Sequence, residues 1–112
     1  MPDEKLYFVL VECHLATPQY LQAAVPFVQN ELEKIATKGP LLSHRSADGS
    51  SFAFLLRTAK AAAQIRDRLT FQPELQSRSS LHDKDKVLVL EVGDDYDVKK
   101  FNQRIEPILA GR

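Results

Sequence analysis

One cysteine in 112 residues leaves no partner for an internal disulfide and no all-cysteine metal site. A reducing cytoplasm is the default compartment for such a chain. There is no excess of either charge: fifteen Lys and Arg balance fifteen Asp and Glu. A protein that coats DNA usually carries a strong basic excess, because binding is driven by phosphate contacts. No apolar run approaches the roughly 18–20 residues that cross a bilayer, so no membrane partner is expected. The first residues, Met1-Pro2-Asp3-Glu4-Lys5, carry acids and lead straight into a strand, unlike a signal peptide. There are no repeats, low-complexity segments or linkers. What remains is 44% hydrophobic and 27% charged, the balance of one globular domain, 1–112, with a real core.

The charge is uneven along the chain. Residues 57–78 hold Arg57, Lys60, Arg66, Arg68 and Arg78 against Asp67 and Glu74. Residues 91–97 hold Glu91, Asp94, Asp95 and Asp97 with no base. A local basic face is therefore expected, and Lys60, Arg66, Arg68 and Arg78 are the candidate phosphate contacts.

Hydrophobic spacing predicts the elements. Leu6 to Cys13 reads as a strand buried on both faces: Tyr7, Val9, Val11 and Cys13 on one, Phe8, Leu10, Glu12 and His14 on the other. Thr17-Pro18 is a helix start. Leu21, Val25, Val28, Leu32 and Ile35 continue it at helical spacing, Pro26 is expected to bend it, and Gly39-Pro40 to end it. Leu41–Arg45 and Phe52–Arg57, joined by Asp48-Gly49, read as a hairpin. Ala59 to Phe71 is a second amphipathic helix, with Ala62, Ile65 and Leu69 inward. Residues 74–86 read as polar and irregular, and Val87 to Val92 as the last strand. A short tail helix follows, with the stripe Val98, Phe101 and Ile105. The order is that of an α+β fold, a ferredoxin-like βαββαβ sandwich with an additional C-terminal helix.

In that topology the first strand lies between the third and fourth and runs antiparallel to both. Its C-terminal end should meet Ser50 and Ser51 on one side and the approach to the last strand on the other. One edge of the sheet then gathers Cys13, His14, Ser51, His82, Asp83 and Asp85; the opposite edge gathers Arg57, Glu91, Asp94 and Asp95. His14 with His82, Asp83 or Asp85 is the candidate metal set, imidazole nitrogen plus carboxylate oxygen, without motif spacing to support it. His14 and Glu12 are the candidate catalytic residues. The plainer expectation is a strand reaching water at a solvated turn, with Cys13 as an inert core thiol. Cys13 and His14 are adjacent in a strand and point to opposite faces, so they do not form a dyad without a bulge. The acids at 94–97 read as capping the tail helix.

The segments SSFAFLLRT (50–58), AAQIRDRL (62–69) and DKDKVLVLEVG (83–93), in that order, resemble the small ferredoxin-like proteins of the CRISPR-adaptation nuclease type, in particular their SinR-like relatives. The likeness covers residues 6–93 and its motifs are short and mostly structural. It implies a homodimer that handles nucleic acid. In that family an aspartate at the end of strand one, often after a tyrosine, meets its dimer mate around a metal. His14, preceded by Cys13, stands at the matching position here. A hard Mg²⁺ site wants oxygen, so the likeness does not carry over metal-dependent cleavage. The expectation is a non-catalytic dimeric protein without a cofactor, associated with nucleic acid. The alternatives are a metal-dependent nuclease working from the strand-one edge, and a regulatory domain that binds a small molecule over the face of Phe8, Leu10 and Glu12.

Overall fold

The structure is a computed structural model and describes residues 4–69, 81 and 84–93. The elements run β1 (Lys5–Glu12), α1 (Pro18–Glu33), β2 (Lys38–Arg45), β3 (Ser51–Thr58), α2 (Ala62–Leu69) and β4 (Lys86–Val92). Together they make a four-stranded antiparallel sheet and two helices, with strand order β2-β3-β1-β4. The expected place of β1, between β3 and β4 and antiparallel to both, is borne out. The tail stripe Val98, Phe101 and Ile105 lies outside the described residues.

Alternation along β1 sorts the two faces. Tyr7, Val9 and Val11 sit opposite Leu56, Phe54 and Phe52 of β3 and opposite Glu91, Val89 and Val87 of β4. These β1 and β3 residues close a core with Ala24, Val28 and Leu32 of α1 and Ile65 and Leu69 of α2, all essentially inaccessible to water. Burying a side chain of this size is worth about 1.5–3 kcal/mol. Leu81 joins the same core, although it stands in a stretch whose composition reads as polar and irregular.

Helix α1 starts as expected. The Thr17 hydroxyl accepts from the Tyr20 N–H at 3.4 Å, and Pro18 takes the first helical position. Its end is different. The helix stops at Glu33, not at Gly39-Pro40, which lies inside β2. The pair reads as a stop in the sequence because the pull of β3 is non-local. The N–H and the hydroxyl of Thr37 both donate to the Arg57 carbonyl, at 2.8 and 3.1 Å, and this draws the chain into the sheet just before Gly39. Gly39 takes φ of +84°, a region that costs other residues. Pro26 lies within an assigned helix that runs through it. Helix α2 begins at Ala62, three residues later than its pattern suggests; the expected end at Phe71 lies outside the described residues. The Ala61 carbonyl accepts from the Gln64 and Ile65 N–H groups and the Ala61 N–H donates to Gln64 Oε1 at 2.8 Å, which sets the start; buried Thr58 ends β3, donating to the Ile35 carbonyl at 2.7 Å and accepting from the Lys60 N–H at 3.2 Å.

The β2–β3 turn is held by Asp48. One oxygen, Oδ1, accepts from the Ser46 hydroxyl at 2.9 Å and from the Ser50 N–H and hydroxyl at 2.9 and 2.7 Å. Gly49 follows at φ +79°.

Candidate functional site

The end of β1 meets the start of β4 as the strand pairing demands. The Cys13 N–H donates to the Ser50 carbonyl at 2.7 Å, so the chain stays beside β3 for one residue past β1. His14 then turns toward β4. Its backbone N–H donates to Asp85 Oδ1 at 2.8 Å, and its ring Nδ1 lies 2.6 Å from the same oxygen. The Tyr20 hydroxyl, from the first turn of α1, donates to Asp85 Oδ2. The rings of His14 and Tyr20 meet edge to face, centroids 5.0 Å apart.

The Asp85 side chain is only 1% exposed. A carboxylate taken from water is costly unless its oxygens are satisfied; these three donors, one of them an imidazole, are the compensation. The result ties three separate segments together: the exit of β1, the first turn of α1 and the entry of β4.

Cys13 is half-buried and packs on the core. Burial, with the Asp85 charge adding to it, pushes its thiol from an ordinary 9.0 up to about 11. The thiolate is the nucleophilic form, so at neutral pH Cys13 is an inert thiol, as expected. The Asp85–His14 arrangement orients an imidazole, but the adjacent sulfur is held in its unreactive state.

Of the candidate metal set, His14 and Asp85 come together, while His82 and Asp83 lie outside the described residues. The His14–Asp85 approach is a direct hydrogen-bonded contact. Two ligand atoms at about 2.0–2.2 Å from one tetrahedral ion stand about 3.4 Å apart, wider than the 2.6 Å that separates these two. Among the described residues no group of three His, Cys, Asp or Glu side chains is placed to hold a metal ion. Glu12 is exposed, with Ser51 and Lys86 as its cross-strand neighbours. Tyr20 is the member of this cluster that the sequence does not announce.

Three of the candidate phosphate contacts, Lys60, Arg66 and Arg68, stand on α2 or just before it. Arg66 lies 3.0 Å from Asp67, and Arg68 lies 3.6 Å from Glu31. Lys60 and Arg68 share a small hollow with Ile35 and Gln64. Arg78 is outside the described residues. At the far end of the sheet Lys5 pairs with Glu91 at 3.2 Å; Asp94 and Asp95, expected there too, are outside the described residues.

Among the described residues, the face of the sheet turned away from the helices carries exposed apolar side chains. Leu6 and Leu55 are buried there against Phe8, Leu41 and Val92. Leu10 and Leu88 pair across β1 and β4, as do Phe8 and Leu90. Leu88 and Leu90 are 47% and 49% exposed. Glu12 and Lys86 stand at one end of this face and Arg57 at the other. Among the described residues no helix is long and apolar enough to cross a membrane.

Compared with family models, with curated proteins and with solved structures, the chain matches none of them.

Proposed function

We propose that this is a ferredoxin-like, non-catalytic protein of the cytoplasm that works as a homodimer, with the open face of its sheet as the dimer surface. The observation that carries the reading is that face: Phe8, Leu10, Leu88 and Leu90 form a contiguous apolar patch in which the last two are about half exposed. Contiguous apolar surface of this kind marks an interaction site. At about 4.8 Å between strands and 3.3 Å per residue, these four side chains span roughly 100 Å² per copy, the centre of an interface rather than the whole of one. The face carries Glu12 and Lys86 as neighbours at one end and Arg57 at the other; a twofold axis across the strands sets Arg57 of one copy over Glu12 and Lys86 of the other. Val98, Phe101 and Ile105, expected at or near the dimer interface from their apolar stripe, lie outside the described residues.

Asp85 supports the non-catalytic part of the reading. Its oxygens are engaged by His14 and Tyr20, and the neighbouring thiol is protonated. The alternative, a metal-dependent nuclease, requires those same atoms to turn to an ion. Nucleic acid is the proposed partner, through Lys60, Arg66, Arg68 and Arg78, with weak affinity because the net charge is zero.

Mass measurement at micromolar concentration is expected to give a dimer, and Leu88→Lys with Leu90→Lys a folded monomer. A monomeric wild-type chain would remove the proposal. Anisotropy titration at low salt is expected to show binding that falls steeply as salt is added. Silence with both DNA and RNA would remove the nucleic-acid part alone.

A further inference from the structure

A hollow of about 420 Å³ opens between α1 and the β2–β3 turn, lined by Ala16, Pro18, Leu21, Gln22, Val25 and Pro26 on one side and by Arg45 and Asp48 on the other. Its volume is that of a small-ligand site. Three features of its wall are chemically specific. The guanidinium of Arg45 makes no hydrogen bond or ion pair among the described residues. It lies over Gly49 beside Leu21; a Cβ at Gly49 would come to 3.4 Å from Arg45 Nε and Nη2 and 3.2 Å from Leu21 Cδ1. The three turn bonds that Asp48 accepts all fall on Oδ1, and none on Oδ2. Finally, Pro26 has no N–H to give the carbonyl of Gln22 four residues earlier, so on this wall the helix leaves an acceptor without its usual donor.

A positive group, a negative group held by the turn, a backbone acceptor at Gln22 and an apolar wall of Leu21, Val25 and Pro26 thus line one cavity. Arg45 and Asp48 do not pair with each other, so each keeps its charge for a third party. A simple anion would meet Asp48 and a simple cation would meet Arg45. A zwitterion with an apolar tail satisfies both.

We propose that this hollow binds a small α-amino acid with an apolar side chain. The ligand carboxylate meets the Arg45 fork, the ammonium meets Asp48 Oδ2 and the Gln22 carbonyl, and the side chain lies on Leu21 and Val25. This site is on the helix side of the sheet and is independent of the dimer face.

The test is a titration of the ¹⁵N-labelled protein with leucine, N-acetylleucine and leucinamide, read from amide shifts. Saturable shifts at Leu21, Arg45 and Gly49 are expected with leucine at millimolar concentration, because the hollow is open to water. Both derivatives, each lacking one charge, are expected to bind at least about tenfold more weakly, the worth of one charge-assisted hydrogen bond. Arg45→Gln, at an exposed position, should abolish the leucine shifts while leaving the rest of the spectrum in place. Absence of saturable shifts at these residues, a derivative that binds as tightly as leucine, or an Arg45→Gln protein that binds as before would each overturn the proposal.

Discussion

Asp85 is the residue on which the β1 exit depends. Tyr20→Phe removes one donor to a buried carboxylate and should cost about 1–2 kcal/mol in urea unfolding. Asp85→Ala leaves His14 and the Tyr20 hydroxyl without their acceptor and should cost more, about 3 kcal/mol. Equal stability of Tyr20→Phe and the parent would mean that the hydroxyl contact contributes nothing. Cys13 gives a test by pH. Because its pKa in the fold is raised, from 9.0 to about 11, the protonated thiol is the form the fold favours. The stability this supplies is present in full below pH 9 and is lost as pH rises through 11. Alkylation of the folded protein by iodoacetamide should therefore stay slow at pH 9 and accelerate only toward pH 11. An alkylation profile with its midpoint at the ordinary thiol value would contradict that environment.

At the scale of elements, the hairpin and the first helix show where local chemistry is decisive. The Thr17-Pro18 start and the Asp48-Gly49 turn form where they are expected, because their hydrogen bonds close within four residues. Gly49 also carries a packing demand, and Gly49→Ala combines a strained positive φ with a contact of 3.2 Å to Leu21. A loss of about 1–2 kcal/mol in chemical denaturation is expected; no loss would mean that the turn shifts freely over α1. The Ser50 N–H, then the Ser50 and Ser46 hydroxyls, hold the Asp48 carboxyl down at about 2. Its contribution to the turn is present above its ordinary 3.8 and fades as pH falls through 2. The Gly39-Pro40 pair behaves differently: as local chemistry it signals a stop, but the sheet incorporates it because Thr37 finds its acceptor on β3.

For the whole molecule, two faces of one sheet have different fates. The inner face is sealed by two helices. The outer face offers Leu88 and Leu90 to whatever covers it, and a second copy makes stability depend on protein concentration. The urea midpoint of the wild-type chain should rise with concentration, while that of the Leu88→Lys, Leu90→Lys variant should not. A concentration-independent midpoint in both would argue against the dimer surface.

The sequence by itself determined the order of the described elements and the inward residues Tyr7, Val9 and Val11 of β1, Leu21, Val28 and Leu32 of α1 and Ile65 and Leu69 of α2, since period-2 and period-3.6 spacing are local properties of the chain; it did not mark Ala24 or the end of α1. It also brought His14 toward Asp85, because antiparallel pairing of β1 with β4 leaves those ends nowhere else to be. Tertiary structure decided the rest. Tyr20 reaches Asp85 only through the docking of α1 on the sheet, and Leu81 joins the core from a stretch with no apolar period of its own. Arg45 and Asp48 share a hollow with Pro26 because the hairpin turn folds against a helix some twenty residues earlier in the chain. Each of these depends on how elements pack, and packing is set by the sum of many non-local contacts that no short window of sequence contains.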